Sequence, residues 1–131
     1  MEPNTFPRES RLRRRSEFLR ISGEGRKLHG RSFLVIAAPG MTGRPRLGVT
    51  VTRKVGNAVV RNRIKRQTRE FFRRRRADLG CWDINVIAKR QAAGQDPEAL
   101  RKDLEDLFDR LDQYTAGAAR SVEDFRDAPG T

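Results

Sequence analysis

The chain has little of what metal or nucleophilic chemistry uses. It holds one cysteine, Cys81, and one histidine, His29, in 131 residues. A single cysteine excludes an intrachain disulfide and points to a reducing interior. No set of His and Cys residues exists to ligate zinc. A lone histidine is weak ground for a catalytic base, and a surface or strand-end position suits His29. Cys81, beside Trp82, reads as a buried small residue with an aromatic neighbour. No apolar run approaches the ~20 residues of a membrane span. The N-terminal stretch lacks the apolar centre of a secretory signal. The expected location is the cytoplasm, with no membrane partner. Lysine is scarce as well: five of the 29 basic residues, leaving 24 Arg.

What is present is positive charge. The net charge is +12 and the pI about 11.3, a balance that favours a polyanionic partner. The planar guanidinium suits phosphate and stacks on bases, although a GC-rich genome produces the same arginine bias. The length fits one domain with a modest core.

Residues 1–10, with Pro3 and Pro7, read as a flexible arm, and 115–131 as a disordered Ala/Gly-rich tail. The body is then 11–114. Arg11, Arg13, Arg14 and Arg15 form a basic knot, either a phosphate-binding arm or a solubilising one. Ser16 is placed to cap a short helix carrying Phe18, Leu19 and Ile21, ended by Gly23 and Gly25. Lys27 to His29 suits a short strand, and Phe33–Ala38 a longer one. In Leu47–Thr52, Leu47, Val49 and Val51 alternate with Gly48, Thr50 and Thr52. The last two runs are expected to form a hairpin with a long loop. Asn57 can cap the next helix, whose Val60, Ile64, Phe71 and Phe72 give a buried stripe. Arg61, Lys65, Arg69 and Arg73 follow at i+4 steps and read as one exposed ridge. Between Arg44 and Arg76 there are 13 basic residues and one acid, Glu70. Like charges at this spacing repel, and a bound anion relieves the cost. Asp83–Ala88 reads as a strand. Asp96-Pro97 starts a last helix with Leu100, Leu104, Leu107, Phe108 and Leu111 on one stripe and an acidic opposite face.

The run Lys54–Arg66, centred on Arg61-Asn62-Arg63, strongly resembles the RNR motif of the bacterial ribonuclease P protein component. Arg11-Leu12 before Ser16-Glu17-Phe18, Gly25-Arg26, Leu47–Val51 and Val86–Arg90 resemble the same family in the same order, across roughly residues 11–111. The resemblance implies an α+β fold ordered αβββαβα. In it a four-stranded mixed sheet packs with helices as a two-layer sandwich, with a left-handed β-α-β crossover through the RNR helix. It implies a ribonucleoprotein endonuclease in which a catalytic RNA subunit removes the 5′ leader of precursor tRNA. Mg²⁺ is then held mainly by RNA, and the protein contributes no catalytic residue and no metal site. The implied partners are the ribonuclease P RNA and the precursor's leader, with no further protein required.

By position, the resemblance assigns Arg53, Lys54, Asn57, Arg61, Asn62, Arg63, Lys65, Arg66 and Arg69 to RNA binding. It assigns Phe18, Ser22, Ile36 and Ala88 to a leader cleft between the sheet and the first helix. Ser22 and Ile36 stand where some relatives carry aromatics, so base stacking, worth ~1–3 kcal/mol per base, is expected to be weaker. Two competing readings differ in class. A protein-only nuclease would gather carboxylates or histidines around Mg²⁺. A basic ribosomal or RNA-chaperone protein would bind RNA without a role in cleavage.

Overall fold

The computed structural model describes residues 10–118. Of the expected flexible segments, 1–10 and 115–131, residues 1–9 and 119–131 lie outside the described ones. Ser10 is buried, and the last helix continues to Ala118.

The elements are α1 (Arg15–Glu24), β1 (Arg26–His29), β2 (Phe33–Pro39), β3 (Arg46–Thr50), α2 (Ala58–Arg75), β4 (Trp82–Ala88) and α3 (Pro97–Ala118). Short 3₁₀ turns follow α2 (Arg76–Asp78) and β4 (Arg90–Gly94). This is the αβββαβα order. The mixed sheet runs β1-β2-β4-β3. β1 and β4 lie antiparallel to β2, and β3 lies parallel to β4. β2 and β3 therefore do not form a hairpin. β4 inserts between them, because Trp82–Ala88 is buried along nearly its whole length and a strand covered on both faces belongs at the sheet's centre. The hairpin is β1–β2 instead. Its turn is clamped by Asp103 of α3, which accepts from the N–H groups of Arg31 (3.0 Å), Ser32 (2.8 Å) and Phe33 (3.1 Å).

α2 and α3 cover one face of the sheet. Phe33, Val35 and Ala37 of β2 alternate toward this side with Ile84 and Val86 of β4, against Ile64, Phe71 and Phe72 of α2 and the whole apolar stripe of α3. Phe71 meets Phe108 edge to face at 5.2 Å. Each such side chain contributes roughly 1.5–3 kcal/mol on burial, so this face carries most of the stability. Between the two helices Arg75 bridges Asp109 (3.0 Å) and Asp112. The acidic side of α3 is thus partly spent on α2 and on the β1–β2 turn.

α1 crosses the opposite face over a smaller cluster of Leu12, Ile21, Ile36 and Ala38. Its N-cap is Arg14 rather than Ser16. The Glu17 carboxylate reaches back to the N–H groups of Arg13 (3.1 Å) and Arg14 (3.2 Å), which fixes the helix start two residues before the hydroxyl. Gly23 lies inside the helix and Gly25 ends it. A Cβ at Gly25 would stand 2.6 Å from Ile36 Cγ2, so glycine is needed where α1 passes close to the sheet. Cys81 is exposed, not buried, because the fully covered strand begins at Trp82.

Candidate nucleic-acid interface

α2 is built by its cap and its stripe. The Asn57 side chain accepts from the Val60 N–H at 3.0 Å, and Ile64, Thr68, Phe71 and Phe72 hold the helix to the core. Arg53, Lys54 and Asn57 are exposed on its approach. The expected ridge of Arg61, Lys65, Arg69 and Arg73 is half-buried throughout. Each i+4 step advances about 40° around the axis, so the series starts beside the buried stripe and winds outward. The open face is carried instead by Val59, Asn62 and Arg66, with Val59 77% exposed. Within the Arg61-Asn62-Arg63 triplet only Asn62 is fully exposed. Arg61 and Arg63 flank it, and an Arg63 Nη reaches the Ala93 carbonyl at 3.5 Å. Burial pushes the Arg69 guanidinium below its ordinary pKa, and the nearby Arg11 charge adds to the effect.

The segment that carries Arg11, Arg13, Arg14 and Arg15 is tied to the sheet. Leu12 donates its N–H to the Leu47 carbonyl at 2.9 Å, and Arg11 bridges Leu47 in parallel. An Arg76 Nη donates to Ser10 Oγ at 2.8 Å. The segment thus lies along the free edge of β3, where it covers unpaired strand groups. It fixes the backbone from which the exposed Arg11, Arg13, Arg14 and Arg15 project.

On the α1 face the register stacks three rows across the sheet. The row Ala38, Asp83, Arg46 is closed by ions. Asp83 is fully buried and bonds Arg46 twice (3.0 and 2.9 Å) and Arg20, while Arg46 also donates to Glu17 at 2.7 Å. The hydrogen bond from Arg46 to Asp83 is the main reason Arg46 is held above its ordinary pKa; burial opposes it and Glu17 supports it. The middle row, Ile36, Asn85, Gly48, lies under α1, with the Phe18 ring above Gly48. The third row, Leu34, Ile87, Thr50, stays half-open, with His29 exposed beside Leu34 at the end of β1.

Of the four residues assigned to a cleft, Phe18 and Ile36 share the cluster beneath α1, and Ser22 is exposed on α1. Ala88 belongs elsewhere. It pairs with Phe33 and sits in the core against α2 and α3, because side chains alternate along β4 and the α1 face takes Asp83, Asn85 and Ile87. The half-buried positions of this face that sequence reasoning did not single out are Leu34, Ile87 and Thr50. Period-two alternation counted from Ile36 points to Leu34, and the pairing register carries it to the other two.

Among the described residues no three His, Cys, Asp or Glu side chains gather as a metal site, and no helix is long and apolar enough to cross a membrane. A sequence model of the Ribonuclease P family matches residues 6–112. A "Ribonuclease P protein component" from Desulfosudis oleivorans is 48% identical over 105 residues, covering 79% of this chain and 87% of that protein. The RNase P protein structure from Staphylococcus aureus superposes with a TM-score of 0.75 at 32% identity, over 78% of this chain and 94% of that one. The RNase P protein from Thermotoga maritima gives 0.70 at 36% identity, over 76% and 96%. With its fold, its basic α2 and these matches, the chain belongs to the bacterial ribonuclease P protein component family.

Proposed function

We propose that the protein docks on the catalytic RNA through the open face of α2 and its approach. It then holds the single-stranded 5′ leader of precursor tRNA against the sheet beside α1. The observation that carries this reading is the composition of that surface. Arg53, Lys54, Asn57, Asn62 and Arg66 stand exposed on one turn and helix, anchored to the largest core cluster from behind. Cations carried on a backbone anchored in this way neutralise phosphates with only their side chains left to order. The half-open row Leu34, Ile87, Thr50, bordered by Phe18, is an aliphatic strip that accepts bases without sequence readout. Mg²⁺ bound by the catalytic RNA would supply the activated water, and the protein's own part is to raise affinity for the precursor and for Mg²⁺ by adding positive charge and leader contacts. The setting for this work is the cytoplasm, where the RNA subunit and precursor tRNA are the partners.

A reconstitution assay tests the proposal. Precursor cleavage at low Mg²⁺ should need the catalytic RNA and be accelerated by the protein. Cleavage by protein alone, abolished by changing one carboxylate, would overturn it. Arg66→Gln should weaken assembly with the RNA, and Phe18→Ala should weaken binding of precursor but not of mature tRNA.

A further inference from the structure

A cavity of about 290 Å³ opens where the N-terminal segment, the start of α1 and the β2–β3 loop meet. Arg11, Arg13, Arg14, Arg44 and Thr42 surround it, over a floor made by Glu17 and Arg46. We propose that this cavity is a second phosphate site, taking a phosphodiester group of RNA. The proposal extends the RNA-docking reading given above.

Four observations carry it. First, besides Arg46, which is bound by Asp83 and Glu17, four arginines, Arg11, Arg13, Arg14 and Arg44, line the cavity against one carboxylate. Second, that carboxylate is engaged by the protein itself. Glu17 accepts from the backbone of Arg13 and Arg14 and from the Arg46 side chain, so its oxygens are turned to these donors rather than to the guanidiniums of Arg13 and Arg14. Third, the cations are pre-positioned. Ser10 and Leu12 are buried, and their bonds to Arg76 and Leu47 fix the backbone on which Arg11, Arg13 and Arg14 stand. Fourth, the cavity adjoins α2, since Arg11 lies near enough for its charge to add to the burial that lowers the Arg69 pKa. Gathering like charges costs stability, and an anion shared among them relieves it. The guanidinium fork and the Thr42 hydroxyl are donors suited to phosphate oxygens.

The phosphate comes from the catalytic RNA or from the precursor's leader, and two binding arms separate them. The double variant Arg13→Gln/Arg14→Gln keeps the backbone groups that Glu17 holds. It is titrated against the cognate ribonuclease P RNA and, as assembled holoenzyme, against precursor tRNA. In one arm the salt dependence of log affinity should become shallower by about 1.4, from two single-strand contacts at ~0.7 each. The wild type's advantage then shrinks about sevenfold between roughly 50 and 200 mM salt. Loss in the first arm assigns the phosphate to the catalytic RNA, and loss in the second to the leader. Arg13→Lys/Arg14→Lys should restore the slope. A folded Gln variant matching wild type in both arms, while Arg66→Gln weakens the first, overturns the cavity site alone. If Arg66→Gln is silent too, the docking reading falls with it.

Discussion

Replacing Gly48 by alanine should destabilise the protein, although the usual effect in a strand has the opposite sign. Alanine loses less chain entropy on folding than glycine, which favours it by about 0.5–1 kcal/mol. At Gly48 the new methyl would meet the Phe18 ring, with Cζ 2.6 Å away, and approach Leu12 Cβ at 3.3 Å. Either the Phe18 ring must leave its place over the sheet or α1 must lift, and overpacking of this kind costs typically 1–3 kcal/mol. The strain wins, leaving a net loss of about 1–2 kcal/mol. A double-mutant cycle by urea denaturation isolates the cause. In a Phe18→Ala background the obstruction is gone, so Gly48→Ala should become neutral or stabilise by up to about 0.5 kcal/mol. The coupling between the two sites should then fall in the upper part of the range of about 0.5–3 kcal/mol seen for residues in contact. Gly48→Ala alone should also weaken precursor binding more than mature tRNA binding, because the displaced ring borders the open row. An equal cost in both backgrounds would refute the contact, and a Gly48→Ala protein more stable than wild type would refute the packing of α1.

Asp83→Asn should cost about 3 kcal/mol, the lower end for breaking a buried ion pair, since Arg46 and Arg20 keep Glu17 and Glu24 as partners; urea denaturation measures it. Asn57→Ala removes the α2 cap and should cost ~1 kcal/mol, whereas Asn57→Asp should keep the helix intact yet weaken RNA binding in a filter assay by adding a negative charge to the docking face. Burial raises the Glu17 pKa, but hydrogen bonds from Arg13, Arg14 and Arg46 outweigh it, and the carboxyl ends below its ordinary value. Its stabilising contribution is therefore present above the unfolded pKa of ~4.3 and lost as pH falls through the folded value. The stability gap between wild type and Glu17→Gln should be full near neutrality and close under acid, as followed by thermal melts at stepped pH.

The sequence carried what periodicity and caps can encode. The α3 stripe, the Asn57 and Asp96 caps and the four strands were all legible, because each depends on neighbours within a turn or two. What failed depended on contacts between distant segments. Nothing local in Phe33–Ala38 and Leu47–Thr52 announces that a third strand, more than thirty residues on, will enter between them. Ala88 was placed on the wrong face because its assignment came by resemblance without a register, and a one-residue difference inverts every side chain. The basic ridge was placed by an i+4 rule that ignores its slow rotation around the helix. The pairing of Arg11 and Leu12 with the edge of β3 was not legible in the basic knot, because that edge lies more than thirty residues away.

The two faces of the sheet are held by different physics, and the difference bears on function. The face toward α2 and α3 is closed by a continuous apolar cluster, which excludes water and leaves no room for a strand of RNA. The face toward α1 has only four fully buried apolar residues and is fastened at one end by the Arg20, Asp83, Arg46 and Glu17 network. Directional bonds of this kind fix where α1 sits without requiring it to cover the whole face. An apolar seal of equal strength would have to extend over Leu34, Ile87 and Thr50, and would close this half-open row. If this face holds the leader as proposed, it must leave apolar surface uncovered while keeping its neighbouring helix in register. The ionic anchor meets both demands at the end remote from the opening. Replacing Asp83, Arg46 and Arg20 together by apolar residues should therefore preserve or raise stability, while allowing α1 to settle over the open row. Stability retained with precursor affinity lost would mark the network as a positioning device. Stability and affinity retained together would show that packing alone sets the helix.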